Sequence, residues 1–279
     1  MQVQGTGPQF AVNGRSTERV LKKTSRDLKK ILERLSTARR INRASDDAAG
    51  LAIAEQLDTR IRGFKMASRN VEDSMSALNI ADGAATQISS LLQRQRSLAI
   101  QARNDTLTDK DRQILDAEYQ QITAEINRIA TSAQFNRQGV SGGEELASGD
   151  AIIQAGPEIS DQITFPEVNF GAAAQDLALT SIATSSDAGA AISAIDNVLS
   201  SVNAQRSTVG ATFNRLVSAI NNLSVAMVNT QAAESVLRDQ DMAAGLAELT
   251  RDRLLQEGGI KAFSRFNQIT QNHIMGLLG

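Results

Sequence analysis

The chain has 279 residues, 41% of them apolar, but only 3% are aromatic, and it contains no Trp, no Cys and one His. This profile fits long helices packed through Leu, Ile, Val and Ala better than a sandwich or an α/β enzyme, and it excludes disulfides, thiolate metal centres and any site needing two histidines. Net charge is −2, yet residues 1–45 hold eleven Lys and Arg against three Asp and Glu, while the remainder holds eighteen against twenty-eight. The basic stretch reads either as a solvated helix face or as a surface for an anionic partner.

Residues 1–14 contain Gly5, Gly7, Pro8 and Gly14 with little periodicity, and read as a mobile terminus. A first helix is predicted from about Ser16 to about Arg40. Leu21, Leu28 and Leu35 stand one heptad apart with Ile31 between them, flanked by Lys22, Lys23, Arg26, Lys29 and Lys30. Ser45 offers an N-cap, with Asp46 and Asp47 in a first turn that favours negative charge. The long second helix that follows is striped by Leu57, Ile61, Phe64, Val71, Met75, Leu78, Ala85, Ile88 and Leu92, diluted by Ser68 and Asp82, and runs to about Arg103. Thr108 or Asp109 then caps a third helix carrying Leu115, Tyr119, Ile122, Ile126 and Ile129 and ending near Ser132.

Between about Phe135 and Thr180, repeated glycines with Pro157 and Pro166 rule out a long helix. Residues 151–154 and 162–165 read as a β-hairpin. A helix is predicted from about Ser186 to Thr230. Its seam is Ile195, Leu199, Val202, Arg206, Val209, Phe213, Leu216, Ile220, Leu223 and Met227, a heptad pattern with Arg206 as its one polar interruption. At ~1.5 Å per residue the seam alone spans about 50 Å, which only other long helices could cover. A last helix starts near Met242 and carries Leu246, Leu249, Leu254, Ile260, Phe263, Phe266, Ile269, Ile274 and Leu278, with Gly258-Gly259 expected to weaken its middle. An apolar stripe maintained to the final residues calls for something to pack against.

Several function classes fall away. No nucleophile, base and orienter can be assembled around one histidine and no cysteine, so neither an enzyme nor a cofactor is expected. Gly142-Gly143 is followed by Glu144-Glu145, the wrong charge for a phosphate loop. The basic helix lacks the stacking aromatics of a nucleic-acid surface. No window is long and apolar enough to span a bilayer, and no cleavable secretion signal is expected.

Glu33-Arg-Leu-Ser36, Arg40-Ile-Asn42, Ala44, Asp46 through Ile53, Ala67-Ser-Arg-Asn70 and Gln134-Phe-Asn136 occur toward one end of the chain. At the other end stand Asn214-Arg-Leu216, Asn222-Leu223, Arg238 through Ala243, Asn267 and Leu277-Leu278. These motifs resemble those of bacterial flagellins over roughly residues 20–140 and 186–279. The resemblance implies a mainly α rod in which residues 1–45 pair with 235–279 as an inner coiled coil. Residues 46–234 would form a helix bundle with a hairpin at about 150–167, without the large outer domains. It implies a self-polymerising filament subunit for motility, extracellular in the flagellum and exported through the type III apparatus without signal cleavage. Its partners would be copies of itself as a helical homopolymer, an export chaperone at the C-terminal segment, and hook-associated and cap proteins. Subunit packing would rest on Leu21, Leu28, Ile31, Leu35, Leu249, Leu254, Phe263, Phe266, Ile269, Leu277 and Leu278, although pairing of the two termini within one chain would also bury many of these. The resemblance extends to an innate-immune receptor contact at Arg94, Leu98 and Glu118, with Gln95 standing where an apolar residue is usual and Ser97 where an acidic one is. A hook-filament junction protein and a surface protein binding an anionic polysaccharide are the alternatives.

Overall fold

The computed structural model describes residues 7–141, 146 and 148–278. Its helices are α1 (Gly7–Thr37), α2 (Ala48–Ala102), α3 (Asp109–Ser132), α4 (Phe170–Ala178), α5 (Ser185–Arg238) and α6 (Met242–Leu278). Two short antiparallel pairs stand between α3 and α4: β1 (Gln134–Phe135) with β2 (Gln138–Gly139), and β3 (Ile152–Gln154) with β4 (Gln162–Thr164). The fold is mainly α with a small β segment, as the sequence predicts. The residues fall into two compact units, Met1–Thr59 with Thr230–Gly279, and Arg60–Asn229. Helices α2 and α5 contribute to both.

The second unit is built around α2. Val71, Leu78, Ala81, Ala85, Ile88, Leu92, Ala99 and Ala102 recur at steps of three, four or seven residues and are all buried. From α3, Tyr119, Ile126 and Ala130 meet this stripe, and from α5 Ile195, Val198, Val202, Val209, Leu216 and Leu223 join the same core. Polar residues that dilute the two long stripes find each other. The Arg206 guanidinium donates to the Asp82 carboxylate at 2.9 Å, and Arg96 to Asp196 at 2.7 Å, which places α5 antiparallel to α2.

Helix ends are closed locally. Asp47, rather than Ser45, caps α2, its carboxylate accepting from the Gly50 amide at 2.9 Å. Thr108 and Asp111 form a reciprocal capping box at the start of α3. The C-terminal carbonyls of α2 are met by a buried arginine, Arg112, which donates to the carbonyls of Ala102 at 2.8 Å and Asn104 at 3.1 Å and pairs with Asp109 at 2.7 Å. Beyond the hairpin, Phe165, Val168, Phe170 and Leu177 are buried, and the Tyr119 hydroxyl shares a 2.6 Å hydrogen bond with Thr180.

Three expectations change. Residues 7–14 are helical, so α1 begins well before Ser16; Pro8 suits a first helical turn, where its missing N–H has no partner to lose. Residues 1–6 of the expected mobile terminus lie outside the described residues. Helix α6 is unbroken at Gly258-Gly259. The β1–β2 pair escapes sequence reading because its two-residue turn is Asn136-Arg137, with φ of 50° and 67° and no glycine. Both positions lie in the left-handed region that such a tight turn demands and that a side chain disfavours. Replacing Arg137 with Gly is therefore expected to raise the chain's unfolding free energy by about 1 kcal/mol, read by denaturant titration.

Candidate assembly surface

Helices α1 and α6 pair antiparallel along a seam where leucines of one meet glycines of the other. A Cβ on Gly245 would come within 2.9 Å of Leu35 Cδ2, and one on Gly259 within 3.0 Å of Leu21 Cδ1. The two contacts are two heptads apart on both helices, so the backbones approach closely at matching intervals. The tolerance of α6 for its glycine pair has a physical reason here: Gly259 makes room for Leu21 and recovers in packing part of what it loses in helix propensity.

The connectors at the end of this pair are tied together. Arg39 and Asp239 form an isolated antiparallel bridge, the Arg40 amide donates to the Arg238 carbonyl at 2.7 Å, and the Gln240 amide donates to Ala38 at 3.0 Å. The Arg40 guanidinium adds a 2.8 Å bond to the Leu237 carbonyl. Asp46 staples the turn after α1: one carboxylate oxygen meets Lys30 at 2.7 Å, and the other accepts from the amides of Asn42 and Arg43, each at 3.3 Å. Lys30, and then the two amides, hold the Asp46 carboxyl below the usual carboxylate range.

The sequence-predicted packing residues divide between the two roles open to them. Ile31 and Leu249 are buried within the chain, and Leu21, Leu28, Leu35, Phe263 and Phe266 are half-buried. Leu254 and Ile269 remain 64% and 51% exposed. The side chains of Leu277 and Leu278 lie outside the described residues. Met242, Leu246 and Ile260 of the α6 stripe are exposed as well, and three apolar groups not singled out from the sequence join them: Val20 and Leu32 on α1 and Leu255 on α6. Val20, Leu32 and Leu255 were missed because they lie off the stripes, where the heptad reading assigns solvent.

Arg94, Glu118 and Leu98 sit on α2 and α3. Arg94 donates twice to Glu118, at 2.7 and 3.0 Å, on the surface, whereas Leu98 is 2% exposed and packs inward. Gln95 is fully buried and donates to Thr123 at 2.7 Å, so an amide takes a position in the core where an apolar residue would need no partner. Among the described residues, no group of three or more His, Asp or Glu is placed to hold a metal ion. The displaced carboxylates other than Asp46 belong to surface pairs or caps: Glu18 with Lys22, Asp111 with Thr108, Glu125 with Arg128 and Asp196 with Arg96 all lie low. Tyr119 is raised by burial. Nothing in this set pairs a nucleophile with a base.

Two family descriptions match nearly the whole chain: the bacterial flagellin N-terminal helical region over residues 12–155, and the bacterial flagellin C-terminal helical region over residues 192–278. The chain belongs to the flagellin family. It is 40% identical over 244 residues to a flagellin of Halalkalibacterium halodurans, covering 87% of this chain and 89% of that one. To the flagellar filament 31.3 kDa core protein of Treponema maltophilum it is 35% identical over 269 residues, covering 92% and 94%. The crystal structure of Bacillus cereus flagellin superposes with a TM-score of 0.50 at 32% identity, over 56% of this chain and 88% of that one. Flagellin is a structural protein family, not an enzymatic one.

Two outcomes follow for this flagellin. Gly245→Ala puts a methyl into Leu35 and is expected to cost about 1–3 kcal/mol of unfolding free energy, with Leu35→Ala in the same chain recovering part of the loss. Because the folded-state pKa of Asp46 is lowered, its contribution is present at neutral pH and is lost as pH falls below about 4. Asp46→Asn is therefore expected to melt below the unmodified chain at about pH 7, with the difference shrinking as the pH falls below the usual carboxylate range, as followed by circular dichroism.

Proposed function

We propose that this chain is the self-polymerising structural subunit of a bacterial flagellar filament, assembled through α1 and α6. The family match over both ends carries this reading. The exposed apolar groups of α6 support it, because a two-helix pair covers one stripe and leaves Leu246, Leu254, Leu255 and Ile260 facing outward. A surface of that kind is covered when further copies pack against it, and a contact that does not close on itself extends into a helical filament. Export through the flagellar type III apparatus without signal cleavage belongs to the same proposal. So do capture of the C-terminal segment by an export chaperone, contact with hook-associated and cap proteins, and receptor recognition at Arg94 and Glu118. The proposal includes residues 1–45 with 235–279 as a terminal coiled-coil domain and 46–234 as a helix-bundle domain with a hairpin.

The test is electron microscopy of purified, depolymerised protein returned to polymerising conditions, beside a chain lacking residues 240–279. Filaments are expected from the full chain and none from the shortened one. Leu254→Lys combined with Ile269→Lys removes two exposed apolar groups of α6 and is expected to raise the critical concentration for polymerisation at least about tenfold, or ~1.4 kcal/mol. A critical concentration equal to that of the unmodified chain would place the subunit contacts elsewhere.

A further inference from the structure

The first unit carries its charge unevenly: the paired helices α1 and α6 hold the basic residues, and the connectors with the adjoining ends of α2 and α5 hold most of the acidic ones. The antiparallel register sets residues 15–30 of α1 beside residues 251–265 of α6, through the contact of Leu21 with Gly259. Together these segments hold eleven Lys and Arg against four Asp and Glu, a net of +7. The opposite end, where the connectors cross, comprises residues 31–59 and 230–250. It holds five basic against nine acidic residues, a net of −4. Local pairing leaves this imbalance in place. Lys22 is matched by Glu18 at 2.6 Å, but Arg15, Lys23, Arg26 and Lys29 stand exposed on α1. At the other end Glu55, Asp239, Asp241 and Glu248 are exposed.

We infer that the basic band of one copy docks beside the acidic band of the next, so that charge complementarity between copies sets the polarity and axial offset of assembly. This deepens the filament-subunit reading and rests on it. Every copy of a homopolymer carries the same two bands. Side-by-side contact without an offset would set +7 against +7, whereas an offset equal to the length of the basic band, the sixteen residues from Arg15 to Lys30 on α1, brings opposite signs together. At ~1.5 Å per residue that offset is about 24 Å. Such a contact pairs two different patches, as an open helical assembly requires. Charges of this kind act mainly on encounter and register, and they weaken once the screening length falls below the spacing between the bands and their partners.

The test uses seeds of the unmodified filament and measures elongation by full chains. The basic-band variant is Lys23→Glu, Arg26→Glu, Lys29→Glu; the acidic-band variant is Glu55→Lys, Glu248→Lys. Each variant alone is expected to elongate at least about tenfold more slowly than the unmodified chain. A one-to-one mixture of the two is expected to recover much of the loss, because the acidic band of one variant then meets the intact basic band of the other. Recovery in the mixture also shows that both variants fold. The unmodified rate is expected to fall as sodium chloride rises from about 0.05 to about 0.5 M. Equal rates for all chains would overturn the charge pairing while leaving the subunit reading intact. A loss confined to the basic-band variant, without recovery in the mixture, would overturn it in favour of a separate anionic ligand on α1. Failure of the unmodified chain to elongate any seed would overturn the subunit reading itself.

Discussion

Close approach of α1 to α6 is the constraint from which the first unit follows. Two leucines and two glycines at matching heptad intervals let the backbones come together, and this fixes which residues of α6 face inward and which are left outside. Leu249 is buried on that side while Leu246 and Leu255 are not. The split between what holds one chain together and what is available to another is therefore set by where Cβ atoms are absent. The crossing of the connectors at Arg39 and Asp239 locks the same register from the other end, with backbone hydrogen bonds that do not depend on which side chains stand there.

In the second unit the same logic runs through polar residues. Long heptad stripes tolerate many registers, since sliding a leucine seam by a heptad keeps apolar groups in contact. Asp82 and Arg206 break the stripes of α2 and α5 once each and meet at 2.9 Å, and Gln95 meets Thr123 at 2.7 Å inside the α2–α3 interface. An exposed pair such as Arg206 with Asp82 contributes at most about 1 kcal/mol. A buried amide left without its hydroxyl partner would cost about 1–3 kcal/mol, so the wrong register is disfavoured more than the right one is rewarded.

Much of this architecture was legible in the residues. The stripes of the second, third and fifth helices, the Thr108 cap and the β3–β4 hairpin are local signals: spacing, a capping hydroxyl, and short β-prone runs either side of a turn. What could not be read was set by distant partners. Gly258-Gly259 looks like a weak point until Leu21 is placed against Gly259, and Asn136-Arg137 lacks the glycine that would have marked a tight turn. Short α4 is held by contacts with α3 rather than by its own periodicity. For the candidate surface, sequence spacing could find the α1–α6 seam but could not divide the leucines of α6 between inside and outside. That division depends on the angle at which the helices meet.

Leu35 and Gly245 lie near opposite ends of the sequence, yet they form one contact. The entropy lost in closing so long a loop grows only logarithmically with its length, but closure cannot begin until the second end exists. A chain interrupted anywhere before α6 can build much of its middle and still has nothing for α1 to lie on. A chain shortened from its C-terminal end therefore leaves the packed face of α1, Leu21, Ile31 and Leu35 included, without the helix that covers it.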